Sequence, residues 1–267
     1  MNNLKFGFIG SGNMGGSLAR AVCKAVGSNN VILADKAEVK AQILADDLHC
    51  TFANSLDVAK TADYIFLGVK PQVMKTALEE IAPILANRQD RFVLVTMAAG
   101  LKMSFFSEVL GADYPIIRIM PNTPVSVGKG MILYTHNKNV FMEEIGNFVN
   151  ALRFAGRLDS IDENLIDAAA AVSGCGPAFV YMFAESLADG GVECGLPRAK
   201  ALEYAAQTLS GAAELLLTAS KHPAVLKDEV CSPGGTTIAG VHALENNGFR
   251  GSVMSAVKAA YDKTSKI

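Results

Sequence analysis

The sequence has few of the patterns that mark metal-binding, disulfide-rich or nucleic-acid-binding proteins. Its five cysteines are an odd number and form no C-x-x-C pair, and its four histidines are scattered without metal-ligand spacing. Such a chain is expected to hold free thiols in a reducing cytoplasm and to bind no metal. The formal net charge is -2 and no dense Lys/Arg block is present, so nucleic acid is not an expected partner.

Long uninterrupted apolar runs are also missing. The first apolar segment is broken by glycines from Gly7 on, unlike the core of a signal peptide. The longest uncharged run lies between Asp167 and Glu185, and the Gly-Cys-Gly-Pro stretch at 174–177 interrupts it. This interruption predicts a poor membrane span. We therefore expect a cytoplasmic protein with no membrane partner.

A glycine-rich turn near the start organises the chain. After the apolar run at 6–9, Gly10, Gly12 and Gly15 stand in the G-x-G-x-x-G spacing, and a helical pattern follows. The first glycine allows a tight turn, the second lets the backbone approach a pyrophosphate, and the third lets the helix lie close to the sheet. No lysine follows as in a nucleoside-triphosphate P-loop. The pattern predicts dinucleotide binding, and the alternative is an ordinary glycine-rich turn.

An acidic residue follows at the distance expected for a ribose contact. Asp35 ends a second apolar run at 31–34 and lies twenty residues beyond Gly15. Its carboxylate can bond ribose hydroxyls and would repel a 2′-phosphate, whereas Lys36 can pair with that phosphate. The two residues favour NADH and NADPH respectively, so the cofactor preference stays open. The alternative is that both are simple turn residues at the end of a strand.

Apolar strands alternate with helical patterns through the first half, and only helical patterns follow Glu163. Each strand ends in a turn, and the carboxyl ends of strands are where open α/β sheets bind ligands. The sequence predicts an α/β fold: a Rossmann-type doubly wound parallel sheet over residues 1–160, then an all-α domain over residues 161–267. Beyond the first two strands, the predicted elements are strands at 63–69, 92–96, 116–120 and 131–134, and helices at 36–48 and 141–154.

One predicted helix carries a regular apolar face. Leu202, Leu209 and Leu216 recur at heptad spacing, with Ala205 and Ala212 between them. This face belongs either to the core of the chain or to a seam between two subunits. The spacing alone does not choose between them.

A second glycine-rich loop, at residues 231–237, leads into another helix. Its N–H groups can hold an anion, more plausibly a carboxylate than a second phosphate. Ser232, Thr236 and Thr237 add hydroxyl groups that can reach a ligand. The alternative is that these hydroxyls only cap the helix.

Over its full length the chain resembles the pyrroline-5-carboxylate reductase family. The resemblance rests on seven ordered motifs: IGSGNMG at 9–15, VKPQ at 69–72, AAGL at 98–101, RIMPNTP at 118–124, SGCGPA at 173–178, DGGV at 189–192 with GLPR at 195–198, and SPGGTT at 232–237. It implies a Rossmann domain and a helical dimerisation domain, assembled as a homodimer or a ring of dimers. The implied reaction transfers a hydride from NADPH or NADH to the imine of 1-pyrroline-5-carboxylate, giving L-proline.

The resemblance also implies roles for individual residues. Those expected to bind the cofactor are Gly10, Ser11, Gly12, Asn13, Met14, Gly15, Asp35, Lys36, Asn54, Val69, Lys70, Pro71, Ala98, Ala99, Gly100 and Asn122. Those expected to bind the substrate are Glu163, Ser232, Gly234, Gly235, Thr236 and Thr237. Thr237 is expected to bond the ring nitrogen and is the catalytic candidate. Cys175 departs from the family, which usually has serine there, and imine reduction needs no nucleophile.

Two other functions remain as alternatives. A β-hydroxyacid dehydrogenase would need a lysine soon after the first glycine-rich turn of the helical half, and here none follows until Lys200. A dinucleotide-binding regulator without catalysis would not need the hydroxyl-rich loop at 231–237. Both features favour the reductase.

Overall fold

An eight-stranded sheet forms the first part of the protein. The computed structural model describes residues 4–264. The strand order is β3-β2-β1-β4-β5-β6-β7-β8, and neighbouring strands are parallel except for β6 with β7. The strands are β1 Phe6–Ile9, β2 Val31–Ala34, β3 Thr51–Phe52, β4 Tyr64–Leu67, β5 Val93–Thr96, β6 Ile116–Met120, β7 Gly130–His136 and β8 Gly156–Ser160.

Helices cover both faces of this sheet. They are α1 Asn13–Val26, α2 Glu38–Leu48, α3 Ser55–Thr61, α4 Pro71–Asn87, α5 Met103–Leu110, α6 Met142–Ala151 and α7 Glu163–Ser173. Strands β1, β2, β4 and β5 are buried along their whole length, which is why they form continuous apolar runs rather than alternating patterns, with Thr96 at the end of β5 as the polar exception. On one face Phe8 stacks on Phe66 with 4.4 Å between ring centroids. The predicted doubly wound sheet is confirmed.

Only helices follow Ser160 in the described part of the chain. They continue with α8 Gly176–Glu193, α9 Arg198–Thr218, α10 Pro223–Val230, α11 Thr236–Asn246 and α12 Phe249–Thr264. The chain divides into two compact units, one of residues up to Gly174 together with those from Tyr261 on, the other Cys175–Ala260. The predicted fold class, an α/β sheet followed by helices, is confirmed.

The helical unit leaves much of its apolar surface uncovered. Ala188, Ala201 and Ala205 form a small buried cluster. Leu202 and Leu216 of the heptad pattern are 44% and 42% exposed. The predicted face is therefore divided: Ala205 belongs to the core of the chain, whereas these two leucines do not, and the subunit seam stays a prediction for them.

The Gly-Cys-Gly-Pro stretch at 174–177 interrupts the helical backbone less than the sequence predicts. Gly174 and Cys175 keep right-handed helical backbone angles, and the Gly174 N–H bonds the Ala170 carbonyl oxygen at 2.7 Å. Pro177 falls in the first turn of α8, where its missing N–H costs no helical bond. Residues 163–193 together are long and apolar enough to cross a membrane, and only 11% of their apolar 18-residue stretch is buried. An apolar helix that packs against another subunit has the same length and composition.

Candidate active site

The loop after β1 has the geometry of a phosphate-binding turn. Gly10 has a positive φ of 97°. A Cβ at Gly15 would lie 2.1 Å from the Gly10 carbonyl oxygen, so only glycine lets α1 pack this closely. A Cβ at Gly12 would meet nothing within 4 Å, which leaves open space beside the backbone. In the described structure no side chain caps α1 at Gly12, so its first N–H groups are available to an anion.

A second loop packs directly on the first. Gly68 follows β4, and its N–H bonds the Ile9 carbonyl oxygen at 2.8 Å. A Cβ at Gly68 would lie 2.4 Å from the Gly10 carbonyl oxygen. Strand order reverses between β1 and β4, and this is the position at which doubly wound sheets bind dinucleotides. Sequence reasoning missed Gly68, although a glycine directly after a buried strand was a usable signal.

Asp35 lies against the glycine loop, as its spacing predicted. One carboxylate oxygen, Oδ2, accepts from the Ser11 N–H at 2.7 Å, and Oδ1 accepts from the Ala37 N–H at 2.9 Å. The bond from Ser11 joins the end of β1 to the end of β2, and the bond from Ala37 fixes the turn after β2. Together they hold a negative charge beside the glycine loop. Lys36 beside it is exposed.

The other predicted cofactor residues lie on the same unit, at the ends of strands or in the loops that follow. Asn54 caps α3, because its side-chain oxygen accepts from the Asp57 N–H at 2.8 Å. The Thr96 hydroxyl accepts from the Ala98 N–H at 3.3 Å and shapes the turn after β5. The remaining members are Val69, Lys70 and Pro71 after β4, and Ala99 and Gly100 after β5.

The Asn122 side chain is hydrogen-bonded at both ends within the fold. Its Nδ2 donates to the Ser173 carbonyl oxygen at 2.9 Å, and its Oδ1 accepts from the Met131 N–H at 2.9 Å. The side chain is 9% exposed. Both ends of its amide are therefore used to join the loop after β6 to β7 and to the end of α7.

Glu163 belongs to a charge cluster around a buried arginine. Its Oε1 accepts from the Met103 N–H at 2.8 Å and lies 3.4 Å from Nη1 of Arg118. Nη2 of Arg118 lies 2.8 Å from Oδ1 of Asp167. Arg118 is 0% exposed, so one buried cation stands between two carboxylates. Sequence reasoning gave no role to Arg118, although a charge within an apolar strand was a visible signal.

The second glycine-rich loop lies in the helical unit. The Gly235 N–H bonds the Ser232 carbonyl oxygen at 3.0 Å, and Gly234 has a positive φ of 66°. Within residues 4–264 no side chain caps α11 at Gly235. Among these described residues, the hydroxyls of Ser232, Thr236 and Thr237 do not cap α11, so the structure gives no support to the alternative that they only cap the helix. The N–H groups of Thr236 and Thr237 and the three hydroxyls remain available to an anionic ligand, whereas the Gly235 N–H is used by Ser232.

Two family models together match most of the chain. The model described as pyrroline-5-carboxylate reductase dimerisation matches residues 163–267. The model described as NADP oxidoreductase, coenzyme F420-dependent, matches residues 5–100.

Curated proteins and solved structures match over the full length. Pyrroline-5-carboxylate reductase of Arabidopsis thaliana is 40% identical over 99% of this chain and 96% of its own length. The Escherichia coli enzyme of the same name is 40% identical over 98% of both chains. The structure of Plasmodium falciparum pyrroline carboxylate reductase with NADP bound has a TM-score of 0.88 at 33% identity, covering 100% of this chain and 98% of the other. The Streptococcus pyogenes reductase has a TM-score of 0.88 at 32% identity, with both chains covered completely.

Proposed function

The chain belongs to the pyrroline-5-carboxylate reductase family, and from that premise we propose a role for each part of its site. It is an NAD(P)H-dependent oxidoreductase that reduces the imine of 1-pyrroline-5-carboxylate to L-proline, the last step of proline biosynthesis. The observation that carries this conclusion is the full-length relationship at 40% identity. It covers both the glycine loop and the hydroxyl-rich loop. A substrate-dependent loss of NADH or NADPH absorbance tests it directly.

The proposed cofactor site is the glycine loop with the loops after β2, β4 and β5. The first N–H groups of α1 face an open space at Gly12 and would hold the pyrophosphate, while Asp35 would bond the ribose hydroxyls. When bound, the nicotinamide supplies the hydride. In this proposal residues 1–160 bind the dinucleotide, and residues 161–267 bind the substrate and a second subunit.

The proposed substrate site is the loop that opens α11. Ser232 and the backbone N–H of Thr236 would hold the carboxylate, because an uncapped helix N-terminus attracts an anion. The Gly235 N–H would join them only by leaving the Ser232 carbonyl oxygen. Thr237 would donate to or accept from the ring nitrogen and so orient the imine carbon. Protonation of that nitrogen makes the carbon more electrophilic. The protein would contribute mainly by orienting the substrate. The family resemblance also assigns Glu163 a contact with the substrate, and this assignment stays a prediction.

Replacing Thr237 by alanine should slow the reaction without unfolding the protein. A hydrogen bond to a charged group is worth about 1.5–3 kcal/mol, which corresponds to roughly a 10- to 150-fold loss of kcat/KM. Steady-state rates with 1-pyrroline-5-carboxylate measure this loss. Thr237→Ser keeps the hydroxyl and is the matched control, expected to retain most of the activity. Wild-type kinetics in Thr237→Ala would remove Thr237 from the mechanism.

Replacing Asp35 by asparagine should shift the cofactor preference toward NADPH. The change removes the negative charge at the ribose position but keeps a side-chain oxygen that can accept from the Ser11 N–H. Loss of the repulsion between carboxylate and 2′-phosphate should raise the NADPH-to-NADH ratio of kcat/KM by about tenfold. Lys36→Gln is the opposite control, expected to lower the ratio. An unchanged ratio in Asp35→Asn would show that Asp35 serves only the two backbone bonds.

The protein is a homo-oligomer, since its helical half matches the dimerisation model of the family. We propose that two chains pair through this half and that the pairs assemble into a ring. The exposed apolar side chains of the helical unit, including Leu202 and Leu216, support a large interface. Light scattering should give a mass that is an even multiple of 28.1 kDa and larger than a dimer. A simple dimer would contradict the ring, and a monomer would contradict both.

We also propose that the enzyme works in the cytoplasm. All five cysteines are free thiols in the structure, which suits a reducing compartment. Cell fractionation with an antibody to the chain tests this placement.

A further inference from the structure

The β5 loop, residues 97–102 between β5 and α5, is held by a side chain at each end. At its start the Thr96 hydroxyl accepts from the Ala98 N–H at 3.3 Å. At its end Oε1 of Glu163 accepts from the N–H of Met103, the first residue of α5, at 2.8 Å. The shape of the β5 loop therefore depends on a carboxylate that lies 60 residues beyond Met103 in the sequence.

Arg118 is the neighbour of Thr96 across the sheet, at the point where the β5 loop begins. The two residues are register partners in the parallel pair of β5 and β6, and both are 0% exposed. From this position Nη1 of Arg118 lies 3.4 Å from Oε1 of Glu163, and Nη2 lies 2.8 Å from Oδ1 of Asp167. The same Glu163 oxygen thus meets the N-terminus of α5 and the arginine, and the charge of Arg118 attracts it to that place.

Stability alone does not account for an arginine at this position. Within residues 4–264 the Nε of Arg118 is buried and makes no hydrogen bond, which costs free energy. A buried ion pair also contributes little stability compared with apolar side chains of similar volume. The cluster is better explained by the group that it positions, which is the Met103 end of the β5 loop.

The strand order indicates which part of a dinucleotide the β5 loop meets. Asp35 follows β2 on one side of β1, and the proposed pyrophosphate site lies where the strand order reverses between β1 and β4. A dinucleotide lies across the carboxyl ends of the strands, so the half beyond the pyrophosphate extends toward β4 and β5. That half carries the nicotinamide. The β5 loop therefore borders the nicotinamide end rather than the adenosine end.

We propose that Glu163 and Arg118 are positioning residues for the nicotinamide. Arg118 holds the Glu163 carboxylate, the carboxylate holds the Met103 N–H, and the β5 loop is thereby fixed in the shape that receives the ring. Neither side chain needs to touch the cofactor or the substrate. This assignment rests on the proposed function, and it gives Glu163 a part different from the substrate contact that the family resemblance implies.

The test compares ligands that differ by the nicotinamide: NADPH with 2′-phospho-ADP-ribose, and NADH with ADP-ribose. Isothermal titration calorimetry on the full-length protein without substrate gives each dissociation constant. Glu163→Ala removes the acceptor of the Met103 N–H and should weaken dinucleotide binding about tenfold, the lower end for a lost hydrogen bond to a charged group. Binding of the two nicotinamide-free ligands should change by less than about twofold, because Asp35 and the glycine loop are untouched.

Conservative variants are the matched controls. Glu163→Gln keeps an oxygen that can accept from the Met103 N–H and should restore most of the dinucleotide affinity. Asp167→Asn alters the other carboxylate beside Arg118 and should leave all four dissociation constants within about twofold of the wild type. Arg118→Met should repeat the selective loss seen in Glu163→Ala, because Glu163 then lacks its cation.

Three results would overturn the proposal. Glu163→Ala could weaken both kinds of ligand equally, which marks a general folding defect. The same variant could bind all four ligands like the wild type while raising the KM for 1-pyrroline-5-carboxylate, which would make Glu163 a substrate contact. Arg118→Met could keep full dinucleotide affinity, which would leave Arg118 without a part in positioning.

Failure of the proposed function gives a different result. A wild-type protein that binds the dinucleotides but does not reduce 1-pyrroline-5-carboxylate would contradict the reductase. The comparison of ligands with and without the nicotinamide needs no reaction, so it would still decide the roles of Glu163 and Arg118.

Discussion

Replacing Gly15 by alanine is expected to weaken dinucleotide binding by about 100-fold or more, because a displacement of roughly 1 Å at a binding site can cost that much. The added Cβ would lie 2.1 Å from the Gly10 carbonyl oxygen, which is backbone and has no rotamer to change. The Gly10 oxygen has little room to move, because the Gly68 backbone lies so close that a Cβ there would come within 2.4 Å of it. Helix α1 must therefore move away, and the N–H groups that would hold the pyrophosphate move with it. Fluorescence titration with NADPH and NADH measures the loss.

Alanine variants of two other glycines serve as controls that distinguish a loss of dinucleotide binding from a loss of stability. Gly12→Ala places its Cβ where nothing lies within 4 Å, so this variant should be as stable as the wild type and still bind the dinucleotide weakly. Gly146→Ala, on α6, also has open space and should leave the affinity unchanged, while the higher helix propensity of alanine raises stability by about 0.5–1 kcal/mol. If Gly12→Ala keeps the wild-type dissociation constant, no ligand approaches the loop at that point. The pyrophosphate assignment would then be wrong.

Apolar runs made most of the sheet predictable. Strands such as β2 and β6 were predicted at their observed bounds, because strands buried on both faces are mostly apolar: β2 is apolar throughout, and β6 is apolar except for Arg118. The short strand β3 and the edge strand β8 were missed. Strand β8 reads GRLDS and is mostly exposed, so it has no apolar pattern. Its pairing with β7 depends on distant parts of the chain, which local periodicity does not report.

The site was predictable where spacing or motif encodes it and not where packing does. The contact of Asp35 with the glycine loop follows from a fixed strand–helix–strand length. The hydrogen bonds of Asn122 with Ser173 and Met131 join segments that are separated in the sequence. The motif around Asn122 therefore did not predict that both ends of its amide are used. The helical half carries motifs, but its exposed leucines need a second subunit to explain them. The partner of such an exposed apolar face lies on another chain, so the sequence of one chain does not identify it.

Replacing Arg118 by methionine is expected to lower the free energy of unfolding by about 3 kcal/mol, the lower end of the range for breaking a buried ion pair. Methionine fills similar apolar space but leaves Glu163 and Asp167 without their shared cation. The lower end applies because these two carboxylate side chains are 25% and 30% exposed, so water screens part of their repulsion. Urea unfolding at one fixed protein concentration measures the loss, since oligomer stability depends on concentration.

A triple variant separates charge from packing at this cluster. Arg118→Met combined with Glu163→Gln and Asp167→Asn removes the cation and both anions while keeping the shapes of the two acidic side chains. The change Glu163→Gln retains a side-chain oxygen that can accept from the Met103 N–H, so this hydrogen bond is not lost. If uncompensated charge causes the instability, the triple variant should recover a large part of the lost free energy. If it is as unstable as Arg118→Met, the guanidinium contributes through packing, and the charge explanation fails.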